Sequence, residues 1–147
     1  MKQTLPPGSR LILPKNSEEM RSLRHDLRTP VNPVIGYCEL IVEEAEGAAP
    51  AKFLAGMSHL HRSGRRMLWL TNNLFANDPV LLNQLTCREV RCIFHVCVRD
   101  VTALAGELRQ QAIVANLPLA VQDLERIGLA AGRWGKRLDE LLQEQAR

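Results

Sequence analysis

"LRHDLRTPVNPVIGYCEL", residues 23–40, sets a histidine beside an aspartate, then a threonine and two prolines, inside an amphipathic helical pattern. Around it Met20, Leu23, Leu27, Val31, Val34, Cys38, Ile41 and Ala45 recur at spacings of three and four, which marks one face of a helix. With Met20 and Leu27 on that seam, His25 falls on the outer side, flanked by Thr29 and Asn32 on the same exposed face. A histidine there contributes little to a core. Asp26 beside it can accept a hydrogen bond from one ring nitrogen, which fixes the tautomer and leaves the other lone pair free to attack. Pro30 removes the hydrogen bond that residue 30 would donate to the carbonyl of Asp26, and Pro33 does the same toward Thr29. An interior proline costs a helix about 3 kcal/mol, so this one is expected to bend just after His25.

Working outward, Asn16 is placed to cap the helix, with Glu19 completing a capping box. Residues 1–15, with Pro6, Pro7, Gly8 and Pro14, predict an irregular arm. "EGAAPAK" (46–52) breaks the pattern at Gly47 and restarts it at Pro50. A second helix follows with Phe53, Met57, Leu60, Gly64, Met67, Leu68, Thr71 and Leu74 inward, which closes a hairpin over 16–76. Asp78-Pro79 predicts one short turn running to about Leu85.

A capping box of Thr86 and Glu89 opens a third helix, inward at Ile93, Val96, Cys97, Val101, Leu104 and Leu108 and ending near Ala115. After "NLP" (116–118) a fourth helix continues to about Gln145. Its inward face mixes Val121, Leu124, Ile127 and Leu138 with small Gly128, Ala131 and Gly135, which permit close helix approach. Residues 77–147 thus form a second hairpin packed on the first. The expected fold is all-α, helical hairpins forming a four-helix bundle. Glu-Leu recurs at 39–40 and 107–108, and "SGRR" (63–66) and "AGRW" (131–134) share that offset of 68; this faint repeat is too thin to establish duplication, but two similar hairpins could form an intrachain version of a symmetric bundle.

The bulk numbers agree with such a bundle. The 147 residues are 46% hydrophobic and 24% charged but only 4% aromatic, so aliphatic side chains must build the core. A net charge of +3 is too small to argue for nucleic acid. No apolar run approaches the roughly 18 residues of a membrane span, and "LILP" near the start is too short for a signal peptide, so a cytoplasmic location is expected. Cys38, Cys87, Cys92 and Cys97 suit reduced, mostly buried thiols. The last three recur every five residues near His95, but five-residue steps turn a helix by about 500°, so they do not share one face and no metal site is expected. His95 itself, among apolar residues, is expected to be partly buried and satisfied. Trp69 and Trp134 are expected in a core or an interface.

"HDLRTPVNPVIGYCEL" resembles the H-box of the histidine-kinase dimerization and phosphoacceptor domain. In that family a His, an acid, two further residues, Thr or Asn, and Pro lie on the first helix of a hairpin, commonly followed by a Gly-Tyr-Ser-Glu-Leu-like run. The resemblance covers about residues 17–75. It implies that His25 is the phosphoaccepting nucleophile, Asp26 the adjacent general base or orienting acid, Thr29 a residue that helps place water for dephosphorylating a partner, and Pro30 the helix-bending proline. Pro33 departs from the pattern, where a small non-proline residue is common. No Asn-rich lid and no Asp-x-Gly or Gly-x-Gly phosphate loop of the family's ATP-binding domain follows residue 75.

The resemblance therefore implies phosphotransfer rather than autophosphorylation. Phosphoryl would pass to or from a receiver-domain aspartate of a response regulator, or come from a histidine kinase. No intrinsic cofactor is expected, and Mg2+ would be supplied by the partner's receiver domain. Arg28 and Asn32 beside His25, with His61, Arg62 and Arg65 in the basic "HLHRSGRR" segment (59–66), are the candidate docking residues; the plainer alternative for that segment is a solvated helix face. The family implies a homodimer, while four helices in one chain could close an intrachain pseudo-dimeric bundle instead. The alternative function is a non-catalytic dimerization or signal-coupling module of a larger signalling protein, such as the N-terminal part of a cyclase or phosphatase. Exposure of His25 in the assembled bundle discriminates between the two.

Overall fold

The computed structural model describes residues 16–145 together with Gly8, and the described residues are helical with no strand. The irregular arm expected over 1–15 lies, apart from Gly8, outside them. In chain order the helices are α1 (Ser17–Arg28), α2 (Val31–Ala45), α3 (Ala51–Leu74), α4 (Val80–Asn83), α5 (Cys87–Val114) and α6 (Pro118–Gln145).

The first predicted helix is divided. α1 stops at Arg28 and α2 starts at Val31, yet Thr29 (φ −52°, ψ −47°) and Pro30 (φ −76°, ψ −18°) both keep helical backbone angles. What lapses is the hydrogen-bond ladder, because positions 30 and 33 have no N–H to donate. Asn16 caps α1, its Oδ1 accepting from Glu18 N at 2.7 Å and Glu19 N at 3.4 Å, but the return bond from the Glu19 side chain that would complete the expected capping box does not occur among the described residues. The Thr86–Glu89 box opens α5 with both reciprocal bonds formed. α4 itself is one short turn, and bonds from Gln84 N to Leu81 O and from Leu85 N to Leu82 O, each 3.1 Å, carry the turn to Leu85 as expected; its N-cap Pro79 has no side-chain hydrogen bond.

α2 packs beside α3 and α6, and α5 beside α6 and α3, so the first long helix of each hairpin lies against the second of the other. A single apolar core runs between them, from Val31, Val34 and Cys38 through Phe53, Met57 and Met67 to Phe94, Leu108, Leu124 and Trp134. The chain's own second hairpin thus covers the face that the first hairpin would otherwise expose.

The inward face of α1–α2 is as predicted, Leu23 being only half-buried. α5 is rotated from expectation. Val90, Phe94, Cys97, Val101, Ala105 and Leu108 are buried, whereas Val96 is exposed and Ile93 and Leu104 are half-buried. The reason is Phe94, whose ring stacks on Trp134 of α6 at 4.1 Å between centroids and meets Phe75 edge-on at 6.2 Å. Trp134 is fully buried and donates from Nε1 to Thr71 Oγ1 at 3.0 Å. Trp69, by contrast, is 53% exposed and takes no part in the core. On α6 the small residues act unequally. A Cβ on Gly135 would lie 2.9 Å from Val98 Cγ2, the close approach expected there, while one on Gly128 would meet nothing within 4 Å. Val121 is half-buried.

Three thiols sit in this core, and Cys92 is exposed. Burial, with Glu39 adding to it, pushes the Cys38 thiol up from 9.0 to about 12. A raised pKa means that the folded state holds the proton longer than the unfolded chain does. The contribution is therefore complete below pH 9.0 and is lost as pH rises toward about 12. Cys38→Val, which keeps an apolar group at the site, is expected to flatten the alkaline fall in stability relative to the parent chain. Urea unfolding midpoints recorded from about pH 8 to about pH 10.5 check this; parallel falls in both chains would contradict it.

Candidate functional site

α1 is tied along both flanks. Toward α3, Arg24 donates to the Phe75 carbonyl at 2.8 Å and to Asn77 Oδ1 at 2.9 Å, and Arg28 Nε donates to Asn72 Oδ1. Toward α6, Asp26 Oδ2 accepts from Arg137 at 3.3 Å. Beneath, Met20 and Leu27 are buried. With inner face and both sides engaged, the remaining side of α1 carries Arg21, His25 and Thr29 outward, all exposed, and Asn32 is exposed beyond the break.

No hydrogen bond or ion pair of the His25 ring occurs among the described residues. The tautomer-fixing bond expected from Asp26 is accordingly not formed, because that carboxylate turns to Arg137 instead. Thr29 caps the histidine's own carbonyl twice: its backbone N–H donates to His25 O at 3.1 Å and its Oγ1 at 3.0 Å. This holds the last regular turn of α1 closed immediately before the proline.

The surroundings are cationic. Arg21, Arg24 and Arg28 share the helix with His25, and burial together with the like charges of Arg28 and Arg21 pulls Arg24 down from its ordinary value. Such a field attracts a phosphoryl group and an acidic partner surface.

The other proposed docking residues divide. His61 is half-buried and its Nε2 meets Glu39 Oε1 at 3.1 Å, which spends it on bridging α3 to α2. Arg28 is similarly committed to Asn72. Arg62 and Arg65 are exposed on α3, seven to ten residues before Asn72, or roughly 10–15 Å along the helix. His95 is partly exposed and satisfied, its Nε2 lying 2.9 and 3.1 Å from the two oxygens of Asp139, which also takes Arg91 Nε at 3.2 Å. No group of three or more His, Cys, Asp or Glu side chains among the described residues is placed to hold a metal ion. No helix among them is long and apolar enough to cross a membrane.

Sequence reasoning missed Arg21, Arg24, Asn72 and Arg137. The spacing of Arg21 one turn before His25 and of Arg24 one turn before Arg28 was a usable signal. Asn72 and Arg137 had none, since only packing brings them to α1.

Residues 15–76 match the family model of the His Kinase A (phospho-acceptor) domain. No curated protein and no solved structure gives a significant match to the chain. The matched segment begins just before α1 and ends just after α3, so it contains His25 and the whole first hairpin.

Proposed function

We propose that this chain, whose residues 15–76 match the His Kinase A phospho-acceptor family model, is a phosphotransfer module that exchanges a phosphoryl group between His25 and a receiver-domain aspartate. The observation that carries the reading is the outward, unbonded His25 ring on a helix otherwise fastened on every side. A free ring nitrogen attacks the phosphorus of an aspartyl phosphate, the N–P bond forms, and the acyl P–O bond breaks to release the carboxylate. The reverse step returns the phosphoryl group. Such a reaction asks mainly for positioning and charge, which Arg21, Arg24 and Arg28 supply on this side, while Mg2+ arrives with the receiver. Arg62, Arg65 and Asn32 are the residues left exposed for docking.

The module works as a single-chain counterpart of a dimeric phosphoacceptor bundle. The apolar face of the first hairpin is already covered by α5 and α6, which leaves one His25 per bundle.

The test is incubation of the chain with a panel of phosphorylated receiver domains and Mg2+, followed by acid-labile phosphate mapping and light scattering. Label on His25 of a monomer supports the reading. A folded chain that takes no label from any receiver or companion kinase favours a signal-coupling module instead. Thr29→Ala is expected to keep the label on His25 and to slow hydrolysis of the receiver's phosphate by about tenfold, measured as inorganic phosphate release.

A further inference from the structure

We infer that Arg137, carried by the second hairpin outside the phospho-acceptor segment, is a positioning residue for phosphoryl transfer at His25, acting through Asp26; the inference rests on the phosphoacceptor reading. Asp26 follows His25 directly in the chain, and its carboxylate is held by Arg137 at 3.3 Å. Left alone, a carboxylate at that place would repel an incoming phosphoryl dianion and could rotate freely beside the ring. The guanidinium offsets part of that charge and fixes the side of α1 on which the carboxylate stands. Asp26 is thereby held beside the acceptor, turned from the ring and with its charge offset by the guanidinium, which lowers the repulsion that an incoming phosphoryl group meets there.

The placement of Arg137 is built in. One turn earlier Trp134 is locked by its stack on Phe94 and its bond to Thr71, which fixes the rotation of α6 about its axis. Gly135 lets α5 approach closely through Val98, and Leu138 is fully buried. Those constraints leave position 137 facing α1. Arg137 is 31% exposed, and Glu140 one turn on also engages it at 3.3 Å, so the guanidinium is steered between two carboxylates. The second hairpin therefore completes the site as well as covering the core.

The probe is phosphoramidate, a small donor that needs no partner protein. A His25 ring nitrogen attacks its phosphorus, the N–P bond to the ring forms, the donor's own P–N bond breaks, ammonia leaves, and the ring proton goes to solvent. Labelling of the full chain is followed by 31P NMR. Arg137→Met, which keeps the apolar stem, is expected to slow labelling about fivefold, the effect of losing one partly exposed ion pair. Arg137→Lys is expected to recover the rate to within about twofold, and in an Asp26→Asn background Arg137→Met should have no further effect.

An unchanged rate in Arg137→Met overturns the inference. So does an equal slowing in the Asp26→Asn background, which would mean a structural role. If the parent chain is labelled by phosphoramidate with this dependence but by no receiver, the partner reading fails and the assignment of Arg137 stands. A parent chain that phosphoramidate does not label at His25 overturns both.

Discussion

His25→Gln is expected to leave the bundle folded and to abolish acid-labile phosphate on the chain. The side chain is exposed and makes no bond among the described residues, so its replacement should change stability by no more than about 0.5 kcal/mol. The chemical loss is of another order. An amide nitrogen has no basic lone pair to attack phosphorus, so the rate should fall by more than about a thousandfold, to background. Glutamine keeps a polar side chain of similar reach, so charge and docking change little. His25→Ala should behave identically; label persisting in either variant would move the acceptor elsewhere. His61 is bonded to Glu39 and His95 to Asp139, so His59, exposed on α3, is the histidine to map next. The check is a phosphorylation time course with a thermal melt on the same samples.

The second large effect is on stability. Trp134→Ala is expected to cost about 3–5 kcal/mol, a large part of the total stability of a domain this size. The indole is fully buried, stacks on Phe94 and reaches across the core to Thr71. Its removal opens a cavity at the point where three helices meet. Trp134→Phe separates the contributions. It retains a ring to stack on Phe94 but loses the hydrogen bond and part of the indole's buried volume, at about 1–3 kcal/mol in all; the Thr71 hydroxyl still donates to the Met67 carbonyl at 3.0 Å. Urea unfolding of the three chains measures both values; a loss below about 1 kcal/mol for the alanine variant would mean that the bundle repacks around the gap. Trp134→Ala should also loosen the register of α6 and with it the reach of Arg137 to Asp26, whereas Trp134→Phe should preserve it.

How much of this was visible beforehand follows from the range over which each signal acts. The helices, the capping residues Asn16 and Thr86, and the breaks near 46–50 and 116–118 are local matters. Period, cap chemistry and proline placement act within a turn or two of chain, so they can be taken from neighbouring residues alone. The same holds for His25 and Thr29, whose outward direction is set by their phase against Met20 and Leu27. The rotation of α5 was not local. Val96 and Phe94 both suit a helical face, and the stack with Trp134, forty residues on, selects the second.

Asp26 illustrates the same limit at the site. Taken with its neighbours it belongs to the imidazole of His25, but it turns to Arg137, a permanently charged donor that the packing of α6 brings to 3.3 Å. The amino-acid sequence by itself determined that this chain is a helical bundle with an exposed histidine on a proline-broken helix. Only the tertiary structure decided that the second hairpin covers the apolar face of the first and that its Arg137 reaches Asp26 beside that histidine. The physical reason is that helix formation and facing are decided by contacts a few residues apart. Which helices meet, and in what rotation, is decided by close packing of side chains distant in sequence, and no local pattern encodes it.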